Sequence, residues 1–206
     1  SFAWQPFDAV YIPLAHRYLA VPAQLPRQAV IDVLQTLTPT VTYDKKKQLH
    51  LGALRPEQQL DDVLLLSYVL DPERTSHDLA FLSSQMLNHN LQSRMGLIGK
   101  KAATDWTGIP VELMMPLAAE RADVVLQLQG PLRNGLHTHR VYDMEMMLVS
   151  VLYEMEHAGI AVSRERLALL REELWQRTQT VEKEIFALAG GEINIGSPKQ
   201  LAQLLF

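Results

Sequence analysis

The sequence predicts an α/β fold followed by a long α-helical hairpin, and three observations carry that prediction. Two short β-type runs, residues 8–14 and 40–43, flank a stretch with helical periodicity. From residue 61 onward the pattern is almost wholly helical. Near the end, Leu167, Leu170, Leu174, Thr178, Val181, Ile185 and Leu188 alternate steps of three and four, the seam of a coiled-coil-like helix.

Each element has its own warrant. Residues 8–14 hold Val10, Ile12 and Leu14 with Pro13 near the end, where a missing N–H matters least. Pro22 and Pro26 punctuate the loop that follows, and Val30, Val33, Leu34 and Leu37 then recur at helical spacing. Pro39 stops that helix, and residues 40–43 read as a second strand. Two strands bury little, so further strands are expected upstream of Ser1. The start, which lacks Met and opens in apolar sequence, fits a piece of a longer chain.

Residues 61–70 are too apolar for a solvated helix and are expected to be buried, closed by Asp71-Pro72. Ser76, His77 and Asp78 open the next helix, with Leu79, Leu82 and Met86 inward. Residues 91–108 read as a polar, glycine-bearing loop, and a helix runs from Pro110 to about Leu128. Gly130-Pro131 and Asn134-Gly135 mark the expected boundary, giving one domain over residues 1–132 and another over 133–206. Beyond it lie a helix from about Val141 to His157 and another from the cap Ser163 to Gly190-Gly191. The short turn at Gly159 should fold these into an antiparallel hairpin, and Ser197-Pro198 opens a last helix.

Composition sets outer bounds. At 206 residues, 48% hydrophobic and 20% charged, the chain can bury a core. No run of apolar residues is long enough for a membrane span. The absence of cysteine excludes disulfides and thiolate chemistry, and it fits a reducing cytoplasm. A net charge of −4 argues against a free-standing DNA-binding domain, which is usually basic.

Among chemistry-bearing residues, Asp44, Asp61, Asp62, Glu120 and Asp123 lie nearest the apolar elements. Gathered by a fold, such carboxylates hold divalent cations for phosphodiester cleavage; left apart, they cap helices. His137 and His139 resemble a chelating pair but would point apart on a helix, and His77-Asp78 resembles the His-Asp pair of phosphohydrolases, though a capping Asp explains it with less. Asn194 to Leu201 places Ser197 and Lys199 at a helix N-terminus, a combination that suits a phosphate as well as an ordinary cap.

Taken together, several stretches resemble the 3′–5′ exonuclease domain of bacterial DNA polymerase I, family A. They are Ser1-Phe2-Ala3, Ala9 through His16, Leu66 through Leu70, Ser76 through Leu79 and Ala118 through Leu128. After the boundary, Leu152 through Ile160 resembles the entry to that family's polymerase domain, and Glu192 through Phe206 resembles its thumb. The resemblance implies a ribonuclease H-like exonuclease fold, truncated at its N-terminus, joined to the first thumb helices. It also implies a part in DNA replication and repair in the bacterial cytoplasm, at the nucleoid.

The resemblance is imperfect where the family's nuclease chemistry sits. The family's first acidic motif would lie upstream of Ser1. Its second, Asn-x-x-x-Asp, aligns with Thr40 to Asp44 and keeps only Asp44 as a remnant metal ligand. Its third, Tyr-x-x-x-Asp, aligns with Leu117 to Arg121, so Leu117 replaces the orienting Tyr and Arg121 the metal-binding Asp. An Arg cannot ligate a cation, and its fixed charge opposes one in the same pocket. An inactive exonuclease is therefore expected, with Arg121 paired to Asp44 and no aromatic near Arg94 to stack a base. The thumb resemblance places Asn194, Ser197 and Lys199 against the primer–template backbone. The polymerase palm, which would take Mg²⁺, would lie beyond Phe206, so no cofactor is expected here. Two other readings stay open: a working proofreading nuclease whose carboxylates include Glu120 and Asp123, and a helical adaptor that docks through residues 141–190.

Overall fold

A computed structural model describes residues 1–93, 106–137 and 139–205. The expected loop at residues 94–105, with Arg94, and the middle of the His137–His139 pair lie outside the described residues. The chain divides into two compact units, Ser1–Ala158 and Gly159–Phe206.

In the first unit, β1 (Phe2–Gln5) and β2 (Asp8–Val10) form an antiparallel hairpin. The expected strand at residues 8–14 is thus cut to its first three residues. It pairs with β1, which the sequence does not announce. The chain leaves the hairpin through His16, whose buried ring bridges two distant segments. Nδ1 lies 2.7 Å from the Ile109 carbonyl and Nε2 2.6 Å from the Tyr11 hydroxyl, so the ring donates from Nδ1 and accepts at Nε2.

Helix α1 (Arg27–Thr36) ends near where the periodicity predicts. Strand β3 (Val41–Thr42) then pairs in parallel with β4 (Asp61–Asp62), and α2 (Lys45–His50) lies between them. Helix α2 is an addition to the expected elements, because its sequence, Lys-Lys-Lys-Gln-Leu-His, has no apolar stripe; Asp44 nucleates it as the cap. The expected helix at residues 61–70 begins two residues late, because Asp61 and Asp62 are the strand that feeds α3 (Val63–Leu70). Helix α4 (Leu79–Leu87) follows.

The long helix α5 (Val111–Gly135) forms the spine of this unit. It runs through Gly130 and Pro131, so the boundary expected at residue 132 falls inside a helix. Burial explains why. Val124, Leu128, Leu132 and, past the helix end, Leu136 share one apolar cluster with Val63, Leu66, Leu79, Leu82 and Tyr142. Breaking the helix at Pro131 would split that cluster, and its burial outweighs one lost hydrogen bond. Tyr142 belongs to α6 (His139–Ala158), which therefore completes the first unit's core.

The second unit contains α7 (Arg164–Ala189) and α8 (Pro198–Leu205). Ser163 caps α7 by accepting the Arg166 N–H at 3.2 Å, and Gly190 ends it in the left-handed region at φ 75°. No residue of α7 is buried, and the seam residues Leu167, Leu170, Leu174 and Val181 are exposed.

The described residues are helix-rich, with two small two-stranded sheets among them.

Candidate functional site

The five acidic candidates do not gather at one point: Asp61 and Asp62 share a node with the Asp44 backbone, whereas Glu120 and Asp123 have partners of their own. Asp44 sits in the left-handed region at φ 61°, a conformation Asp tolerates better than most side chains. Its carboxylate accepts the Lys47 N–H at 3.1 Å. Among the described residues no ion pair joins Asp44 to Arg121, so the pairing expected across a vacated site is corrected: the capping role turns this carboxylate to α2. Leu117 is buried with Ile109 and Met114, and Tyr11 packs against them, so an apolar side chain there has a packing role.

Glu120 accepts from His89 Nε2 at 2.9 Å and from the Gln92 N–H at 2.9 Å. Asp123 accepts the Phe7 N–H at 2.7 Å and a Gln127 side-chain N–H at 2.7 Å, which ties the β1–β2 turn to α5. His77 accepts the Tyr43 hydroxyl on its carbonyl at 3.1 Å, and its Nδ1 lies 2.8 Å from Ser67 Oγ. This pair is structural. Among the described residues no group of three His, Asp or Glu side chains could hold a metal ion.

What the fold does bring together is a buried polar node at β4. Asp62 is almost wholly buried, yet its carboxylate accepts three backbone N–H groups: Asp44 at 2.9 Å, Lys45 at 2.7 Å and Leu64 at 2.9 Å. Burial raises its pKa above the usual carboxylate value, and these three hydrogen bonds oppose the rise. Its own N–H donates to the Tyr142 hydroxyl at 2.9 Å, and that hydroxyl donates to Asp61 Oδ1 at 3.2 Å. Asp61 also pairs with Arg133 and accepts from Gln129 Nε2 at 2.8 Å. The Arg133 guanidinium lies 5.8 Å from the centre of the Tyr142 ring. Burial, with the Asp61 charge beside it, pushes the Tyr142 phenol far up.

Lys45 completes the arrangement. Its buried ammonium donates to the Gln58 carbonyl at 3.0 Å, and desolvation lowers its pKa, with the Asp62 charge resisting. A cleft of about 850 Å³ opens beside the node, lined by Thr38, Lys45, Asp61, Arg133, Asp143 and Met146, among others. Sequence reasoning singles out Asp61 and Asp62 but misses Lys45, Arg133 and Tyr142. The available signal is an acidic doublet opening an apolar helix, which demands buried partners without saying where they come from.

The residues expected to meet the primer–template backbone lie in the second unit. Asn194 Oδ1 accepts the Gly196 N–H at 3.0 Å, and its carbonyl accepts the Ser197 N–H at 2.9 Å, folding a tight turn. Ser197 Oγ accepts the Gln200 N–H at 3.4 Å, capping α8. Lys199 stands exposed in the first turn of α8.

Comparison with known proteins places this architecture. No protein-family model matches the chain. A solved structure described as the POL domain of Pol1 from M. smegmatis, in complex with DNA primer-template and dNTP, superimposes with a TM-score of 0.58. It has 25% sequence identity and covers 89% of this chain and 31% of that one. The fold is therefore that of part of a polymerase. DNA polymerase I of Pseudomonas aeruginosa is 35% identical over 229 aligned positions, covering 100% of this chain and 24% of the relative. The enzyme of Rhizobium leguminosarum is also 35% identical, over 95% of this chain and 19% of its own length. That of Bacillus caldotenax is 35% identical over 70% of this chain. The chain belongs to the bacterial DNA polymerase I family and spans about a quarter or less of the length of these curated relatives. Among the described residues, no helix is long and apolar enough to cross a membrane.

Proposed function

We propose that this segment is the structural part of a DNA-directed DNA polymerase that acts in replication and repair. Residues of the first unit form a catalytically silent, ribonuclease H-like exonuclease remnant, and the second unit begins the thumb. The observation that carries the reading is the separate commitment of the Asp44, Glu120 and Asp123 carboxylates. Asp44 caps α2, Glu120 ties down His89 and Gln92, and Asp123 holds the Phe7 N–H. A nuclease centre needs its carboxylates gathered around a shared pair of cations, with lone pairs free to ligate them.

Asn194, Ser197 and Lys199 are the residues proposed to meet the primer–template backbone. The exposed Lys199 sits at a helix start, where the partial positive charge favours phosphate. Contacts of this kind position a duplex without reading its sequence. The remainder of the polymerase chain is the other partner, and the proposed site of action is nucleoid DNA in the cytoplasm. Mg²⁺ belongs to the polymerase palm, outside this segment.

The test is 3′-end digestion of a labelled single strand with Mg²⁺, then Mn²⁺, by the full-length polymerase that carries this segment. Asp44→Asn is the companion variant, because it keeps the cap acceptor and the left-handed conformation while removing the charge. Polymerisation without digestion, in both proteins, is the expected result. Digestion that disappears in Asp44→Asn would show a working site and overturn the scaffold reading.

A further inference from the structure

Helix α6 is attached to the first unit in two chemically different ways. Near its start, Tyr142 is 2% exposed and closes the polar node through Asp61 and Asp62. At its end, Glu156 accepts from Lys46 Nζ at 2.7 Å and lies 2.8 Å from His50 Nε2, both on α2. The His50 ring packs edge-on against Tyr153 at 5.0 Å, and Tyr153 stacks on His157 at 5.7 Å. These groups are substantially exposed, with 46% of the Glu156 side chain open to solvent.

Between the two ends Met146 packs against the apolar cluster, and beyond Ser150 no described residue of the helix is buried. Tyr142 and Val149 are its only buried residues among those described, and Ser150 Oγ reaches the Pro56 carbonyl at 3.3 Å. The cleft of about 850 Å³ runs along this stretch, lined by Met146, Met147 and Ser150. A buried hydrogen bond between groups with no alternative partner is costly to open, whereas a surface ion pair contributes little and is screened by salt.

We propose that α6 is a strut, pinned at Tyr142 and clasped at Glu156, whose clasp alone releases under physiological conditions. Opening the clasp lets the C-terminal end of the helix leave α2 while the node holds its N-terminal end. Residue 159, where the second unit starts, follows this released end directly. None of this depends on whether the nuclease is silent.

The chain has no cysteine, so introduced pairs can be spin-labelled without background. One pair, Leu51→Cys with Met155→Cys, spans the clasp; the other, Gln59→Cys with Met144→Cys, spans the pin. All four positions are exposed. Pulsed electron resonance on the full chain should give narrow distance distributions for both pairs at low salt. Glu156→Gln, or high salt, should broaden the clasp distances and add a longer component while leaving the pin distances unchanged. An unchanged clasp pair, or equal broadening of both pairs, would overturn the proposal. Because Glu156 is a surface residue, its substitution leaves the core intact.

Discussion

Replacing Tyr142 with Phe removes a single oxygen from the most connected point of the first unit. The ring stays, so no cavity forms. The hydroxyl accepts the Asp62 N–H at 2.9 Å and donates to Asp61 Oδ1 at 3.2 Å. Asp61 keeps Arg133 and Gln129, so the lost donation costs only ~0.5–1 kcal/mol. The Asp62 N–H is buried and, among the described residues, has no other side-chain partner, and stripping it costs ~1–3 kcal/mol. Together they predict a loss of about 1.5–4 kcal/mol. Urea unfolding read by tryptophan fluorescence measures it, with Trp175→Phe in every sample so that Trp4 and Trp106 report the first unit alone. With a slope of ~2–3 kcal/mol per molar urea, the midpoint should fall by about 1 M at unchanged slope. Tyr153→Phe, a ring substitution at an incompletely buried site, should move it by less than ~0.5 kcal/mol. A Tyr142→Phe midpoint equal to that of Tyr153→Phe would mean that water reaches the Asp62 N–H, and the closed node would be wrong.

Other substitutions test other parts of the structure. Gly130 is exposed inside α5, and an added Cβ meets nothing within 4 Å, so Gly130→Ala should stabilise by ~0.5–1 kcal/mol in thermal melts. A loss would mean the helix breaks there after all. Gly135→Ala should lack this gain, since its Cβ would lie 3.1 Å from a Leu70 methyl. Lys46 and His50 hold the Glu156 pKa below its ordinary 4.5, so what it lends to stability is present above 4.5 and is lost as pH falls through the depressed value. Glu156→Gln should flatten that acid loss in unfolding curves measured against pH. Burial, followed by the Asp78 charge, pushes the Tyr43 phenol up to about 12 from 10.0. Its stabilising share is full below 10.0 and is lost as pH rises through about 12, so Tyr43→Phe should reduce the alkaline loss of stability.

Elements with their own local signals are legible in the sequence alone. The periodicity of α1, the apolar run of α3, and the Ser163 and Gly190 caps of α7 can each be read from neighbouring residues. Helix α2 cannot, because its stability rests on Asp44 and on burial of Lys45 and Leu49 rather than on a stripe. The continuation of α5 through Gly130-Pro131 is illegible for the same reason in reverse. Local breaker residues argue for a stop, while the apolar cluster that keeps the helix whole is built from residues far apart in sequence. The acidic doublet at Asp61 is visible, but its partners stand 72 and 81 residues away. Charge and shape complementarity at that range leave no periodic trace in one sequence.

The continuity of α5 across Pro131 decides where this protein can be cut. A truncation after residue 132 would leave the spine helix ragged and remove Arg133, Leu136 and Tyr142 from the piece that depends on them. The N-terminal piece made that way should be recovered as aggregate, whatever its solubility tag. Ending the piece at Ala158 keeps every one of those groups on the same side of the cut. For anyone building chimaeras between polymerases of this family, the joint belongs at the Gly159 turn, not at the proline that advertises it.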